Sequence, residues 1–133
     1  MLHNAAIGTE AGFLTLVRDP EFSSNAAGAS QGTSMFGDMR WKGEDADSFD
    51  VEQVDFEEFI KSFEREIDLV KMDIEGAEVA ILEKLLESPV LGLIKHLFVE
   101  THEAQIPELG PRSEAIRARV KAQGLTKINL DWH

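Results

Sequence analysis

Apolar positions along this chain alternate between two spacings, and each spacing predicts a different element. Gly12–Val17 reads GFLTLV, a short apolar run with the composition of a strand, closed by Asp19-Pro20. Ser48–Val54 reads as another strand, with Phe49 and Val51 on one face. Asp55 then has the character of a helix N-cap, with Glu58 three residues on as its capping-box partner. Phe56, Phe59, Ile60 and Phe63 follow the i, i+3, i+4, i+7 spacing of a core-facing helical stripe. Leu69, Val70, Met72 and Ile74 supply the apolar content of a short buried strand within Asp68–Ile74. Gly76 permits a sharp turn. Ala77–Leu86 is rich in helix formers, with Ile81, Leu82, Leu85 and Leu86 as its stripe, and Ser88-Pro89 stops it. Leu93–Thr101 is the next strand, with Leu97-Phe98-Val99 at its heart. Pro111 or Ser113 opens a helix carrying Ile116 and Val120, with Gly124 as its C′ residue. Ile128, Leu130 and Trp132 alternate in a closing strand over Thr126–Trp132. Strand, helix, strand, helix, strand from Asp68 onward predicts an α/β layer with a largely parallel sheet.

The first third has weaker patterning. Met1–Ile7 is a candidate strand end and Gly8–Gly12 a turn. Ser23–Ser34 is biased to Ser, Ala, Gly and Asn and reads as a loop; Ser34-Met35-Phe36 and Trp41 would give local apolar cover. The expected organisation is one domain, with an irregular or hairpin part over residues 1–47 and an α/β core over residues 48–133, as 133 residues allow. Net charge is −12, from 25 acidic and 13 basic residues, which argues against a nucleic-acid backbone or an anionic membrane surface as partner. No run approaches the roughly 20 apolar residues of a membrane span, and MLHNAAIGTEAG lacks the basic and apolar blocks of a signal peptide. With no cysteine, thiolate sites are excluded and a reducing, cytoplasmic setting is expected.

Candidate chemistry gathers where two of these strands run out. One end presents Asp73, Glu75 and Glu78; the other presents Glu100, His102 and Glu103. If the strands are adjacent and parallel, their ends lie about 5–10 Å apart, and carboxyl ends of parallel strands are where open α/β sheets bind ligands. Three readings stand. A carboxylate or His102 could act as general acid or base. Oxygen ligands with one imidazole could hold Mg²⁺ or Mn²⁺. Or these are exposed charges at strand termini, in an acidic chain, with His102 a surface residue. Lys71 and Asp73 share one strand face roughly 6–7 Å apart, so a screened ion pair is expected between them. There is no nucleophile elbow, P-loop, zinc-binding helix or glycine-rich dinucleotide turn.

KMDIEGAE at Lys71–Glu78, preceded by Asp68-Leu69-Val70, closely resembles the central motif of FkbM-type S-adenosylmethionine-dependent methyltransferases. HNAAIG at His3–Gly8 resembles that family's third-strand segment, the capped helix over Asp55–Phe63 precedes the motif as in the family, and LFVETHEAQIPEL at Leu97–Leu109 resembles the strand and loop that follow it. The resemblance implies a class I, Rossmann-like methyltransferase fold: a mostly parallel sheet flanked by helices, transferring a methyl group, most often to oxygen, of a small-molecule or sugar-like acceptor. It implies S-adenosyl-L-methionine as cofactor, with His3, Asn4 and Ala5 near its adenine end and Met72 and Asp73 near its methionine end. Asp73, Glu75 and His102 are its catalytic candidates, and Glu78, Glu100 and Glu103 its substrate-binding candidates; no metal is assigned. The family's opening strand, glycine-rich turn and second strand would all precede His3 and are not in this sequence. The resemblance therefore implies a partial fold with the first two strands missing, weak cofactor binding by this chain, and an open sheet edge inviting homo-oligomerisation. Two other functions are compatible with the residues: a non-catalytic remnant serving as an interaction module, and a carboxylate-rich metal-dependent hydrolase.

Overall fold

The computed structural model describes residues 3–18, 21, 24, 33–36 and 47–132. In chain order the elements are β1 (Ala6–Gly8), β2 (Gly12–Val17), β3 (Ser48–Asp55), α1 (Phe56–Lys61), β4 (Ile67–Met72), α2 (Glu78–Leu85), β5 (Ile94–Val99), α3 (Gly110–Ala122) and β6 (Ile128–Asn129). Short 3₁₀ turns at Pro89–Leu93 and Pro107–Leu109 lead into β5 and α3. The Asp19-Pro20 stop, Trp41 and most of Ser23–Ser34 lie outside the described residues.

Strands β4, β5 and β6 form one sheet with parallel pairing throughout, Val70 opposite Leu97 and Leu97 opposite Ile128. This is the βαβ geometry that the alternating pattern predicts. A second three-stranded sheet has the order β1-β3-β2, with β1 parallel and β2 antiparallel to β3. Among the described residues the mixed α/β architecture thus holds two small sheets, the second joining strands from either side of residues 18–47. Lys84 ties α2 to the second sheet: its ammonium donates to Asp55 Oδ2 at 2.8 Å and to the Thr9 carbonyl at 2.6 Å.

The core lies between α2, α3 and the β4-β5-β6 sheet. Ile81, Leu82 and Leu85 from α2 meet Ile94, Leu97 and Val99 from β5 and Ile106 from the following loop, all buried. Each such side chain contributes about 1.5–3 kcal/mol relative to exposure. Helix α3 ends as its sequence predicts: Gly124, at φ +63°, donates to the Lys121 carbonyl, and Leu125 donates to the Val120 carbonyl.

Four expectations need correction. The α1 stripe is only half buried: Phe56 and Ile60 are enclosed, whereas Phe63 follows the helix end and is 40% exposed. Asp55 does cap α1, accepting from the Glu57 and Glu58 backbone N–H groups, but the Glu58 side chain turns to Lys61 and no reciprocal box forms. Strand β4 is not fully buried. Among the described residues it pairs only with β5, and Leu69 is 58% exposed. The closing strand shrinks to Ile128–Asn129, although Leu130 remains buried.

Candidate functional site

The chain leaves β4 at Met72 and turns through Asp73-Ile74-Glu75-Gly76 before entering α2. Glu75 has φ +57° and Gly76 φ +107°, two successive left-handed residues. The first is uncommon for a residue with a Cβ, and it is held from outside: Ser34 Oγ donates to the Glu75 carbonyl at 2.6 Å. At Gly76 the requirement is spatial as well. A Cβ there would lie 2.7 Å from both Ile106 Cδ1 and Phe36 Cδ2. The two strand ends are zipped by the Glu100 N–H donating to the Met72 carbonyl at 2.9 Å.

Behind this turn sits Glu78, with no solvent exposure. Its Oε2 accepts from the Gly76 N–H at 2.9 Å, and its Oε1 accepts from the His102 N–H at 3.2 Å and from His102 Nδ1 at 2.9 Å. A carboxylate on that side places the hydrogen on Nδ1 and leaves Nε2 facing away. His102 is 3% exposed, so it is not the surface residue that its position at a strand end suggests. Its Nε2 lies 3.7 Å from Asp73 Oδ1 and 3.7 Å from Glu75 Oε2. The Glu78 hydrogen bond lifts the imidazole above its ordinary pKa; burial opposes the shift, and the charges of Glu78, Glu75 and Asp73 reinforce it. Lys71 Nζ stands 3.5 Å from Asp73 Oδ2, the expected pair, and 4.0 Å from the centre of a Trp132 ring.

A cavity of about 670 Å³ opens in front of the turn, lined by Ala5, Leu16, Ser34, Asp73, Glu75 and Glu100 among others. An adjoining, more apolar cavity of about 530 Å³ shares Ala5 and Ile74 with it and adds His3, Phe59, Leu69 and Met72. Of the candidates for the cofactor's adenine end, Ala5 reaches both spaces. His3 is exposed and set edge-on to Phe59 at 5.3 Å, and Asn4 is exposed beside a third space of about 440 Å³. The catalytic candidates Asp73, Glu75 and His102 converge. The substrate candidates separate: Glu100 lines the main cavity, whereas Glu78 is enclosed with both oxygens committed to Gly76 and His102. Glu103 accepts from Arg117 at 3.1 Å, and although burial pushes its carboxyl up, a backbone hydrogen bond, Thr101 and Arg117 together hold it below its ordinary pKa. Ser34 is the residue that sequence reasoning missed, because nothing local marks a serine that meets its partner 41 positions away. Glu78's enclosure did leave a signal: positions 78, 81, 82 and 85 share one helical stripe.

The Methyltransferase FkbM domain model matches residues 1–125. The chain belongs to the FkbM methyltransferase family. The acidic turn at Asp73–Glu78 and the cavity before it are therefore features of a methyltransferase-family domain. No curated protein and no solved structure matches the chain.

Proposed function

We propose that this FkbM-family chain takes part in S-adenosylmethionine-dependent O-methyl transfer to a small-molecule or sugar-like acceptor, on a partial class I, Rossmann-like fold. The observation that carries the reading is the cavity at the carboxyl end of β4, walled by Asp73, Glu75 and Glu100 within a chain matched to the family over residues 1–125. Its size suits a small organic ligand, and three carboxylates on its wall suit a cationic one. The methyl donor meets both conditions, and when bound it supplies an electrophilic methyl group on a sulfonium. Ala5 and Asp73, on the wall of this cavity, and Met72, on the wall of the adjoining one, would hold it. Asp73, Glu75 and His102 form the polar end, where an acceptor hydroxyl would be oriented and its proton received. Orientation does most of the work in such a displacement, and Glu78 contributes by fixing the imidazole rather than by touching substrate.

The test is a ¹H–¹⁵N correlation titration with S-adenosylmethionine. The expected result is weak binding, with a dissociation constant above about 10 μM, equivalent to less than about 7 kcal/mol. Shifts should concentrate at Ala5, Asp73, Glu75 and Glu100. Absence of shifts at these residues at millimolar cofactor overturns the reading.

A further inference from the structure

Nε2 of His102 belongs to a side chain that is 3% exposed, and it makes no hydrogen bond to any described residue. It points at two carboxylates that are partly open to the cavity, Asp73 and Glu75. We propose that Asp73, Glu75 and His102 Nε2 bind a divalent transition-metal cation, with Glu78 as the carboxylate that orients the imidazole.

The geometry supports this at three levels. Nε2 stands 3.7 Å from an oxygen of each carboxylate, and one ligand atom from each of the three residues lies within 4.8 Å of the others. Ligand atoms bound about 2.0–2.2 Å from one ion lie at most about 4.4 Å apart. The two Nε2 distances already fit, and the carboxylate oxygens lie within 4.8 Å of each other. The next level is the imidazole itself. A 3.7 Å separation is too long for a hydrogen bond, so Nε2 stands near both carboxylates without bonding to either. The last level is the Glu78–His102 contact at 2.9 Å. A histidine that binds a metal through one nitrogen commonly donates the other N–H to a carboxylate, which fixes tautomer and ring orientation. Glu78 does this from a fully enclosed position and holds the His102 backbone as well. Two carboxylate oxygens and one nitrogen favour Mn²⁺ over the all-oxygen preference of Ca²⁺. The remaining coordination positions would face the cavity, where an acceptor oxygen could bind and lose its proton more readily.

This inference rests on four side chains and not on the methyl donor, so the two readings fail separately. The experiment is titration of the full chain with MnCl₂, without cofactor, followed by electron paramagnetic resonance of free Mn²⁺ and by electron spin-echo spectroscopy of the bound ion. The expected result is one site per chain, with nitrogen coupling from a single imidazole. Asp73→Asn and Glu75→Gln, at partly exposed positions, should each weaken binding at least tenfold. Glu78→Gln should weaken it about 10–100-fold without removing a ligand, and Glu114→Gln, exposed on α3, should leave it unchanged. Binding with no nitrogen coupling, binding indifferent to Asp73→Asn and Glu75→Gln, or no binding below millimolar Mn²⁺ each overturns the proposal. Metal binding without any response to S-adenosylmethionine would retain the site and reject the methyl-donor reading.

Discussion

Glu78 and His102 are joined twice, through Nδ1 at 2.9 Å and through the His102 backbone nitrogen at 3.2 Å, by a carboxylate with no solvent exposure. Burying a carboxylate is costly unless its oxygens are satisfied. Here Oε1 serves His102 and Oε2 serves the Gly76 N–H. One side chain at the start of α2 therefore fixes both the turn after β4 and the residue that follows β5. Glu78→Ala would leave these donors without an acceptor in a dry site. We expect a loss of about 3–5 kcal/mol, the range for removing one partner of a buried pair. Glu78→Gln keeps one acceptor oxygen and should lose less. Urea unfolding followed by circular dichroism measures both, and equal losses would show that the carboxylate charge, which both variants remove, carries the effect and the retained acceptor oxygen none of it.

Gly76 is the position where the turn has least latitude. Its φ of +107° disfavours any residue with a Cβ, and that Cβ would meet Ile106 and Phe36 at 2.7 Å. Gly76→Ala should destabilise by more than about 2 kcal/mol through combined backbone and steric strain. Glu75→Gly should go the other way. It relieves a left-handed non-glycine residue, while adding entropy to the unfolded chain. Comparing the two melting temperatures against wild type separates backbone strain from crowding.

Much of this arrangement was legible in the sequence where local patterns decide structure. The Asp55 cap, the α2 stripe of Ile81, Leu82 and Leu85, the glycine at the sharp turn and the Gly124 terminus each depend on neighbours within a few residues, and each appears as its spacing implies. What eluded it depends on distant packing. Leu69 and Phe63 carry the right side chains for a core, but β4 lacks a second neighbour among the described residues and α1 stops at Lys61. The convergence of Asp73, Glu75 and His102 followed from placing β4 beside β5. That Glu78 would lie behind them did not, since acidic residues in a first helical turn are ordinarily solvated caps. Its stripe position carried the information, but a carboxylate on an apolar stripe says only that a partner must exist.

Asp55 gives the fold an acid-sensitive joint. Burial raises its pKa, but this is outweighed by hydrogen bonds from Lys84 and from the Glu58 and Glu57 backbone N–H groups, and by the Lys84 charge, so the folded-state pKa is depressed. A depressed acid pKa means that the unfolded chain takes up the proton first. The stabilisation is therefore complete above the unfolded value, near pH 4, and is lost as pH falls through the folded one. Asp55→Asn should flatten this part of the acid limb of stability against pH while costing about 1 kcal/mol near neutrality, since an asparagine still caps. Asp55→Ala should cost about 2 kcal/mol by losing the cap as well. Unfolding at pH 7 and at pH 3 measures the difference, and parallel curves for wild type and Asp55→Asn would refute the assignment.

Two arginines on α3 make opposite predictions from similar chemistry. Arg112 forms a two-pronged pair with Glu83, at 2.8 and 2.6 Å, but both side chains are more than two-fifths exposed. Water screens such a pair, and Arg112→Lys should cost less than about 1 kcal/mol. Arg117 is more enclosed and spreads its donors over four partners: Asp131, Thr101, Glu103 and the Leu130 carbonyl. It thereby clamps the residues on either side of His102 to the segment after β6. A lysine cannot reproduce that planar fork. Arg117→Lys should cost about 1–2 kcal/mol, and it should shift the His102 amide resonance, which Arg112→Lys should leave in place. A double-mutant cycle between Arg117→Lys and Glu103→Gln should show non-additivity of at least about 0.5 kcal/mol. Additive losses would mean that Glu103 is held by the backbone and Thr101 alone.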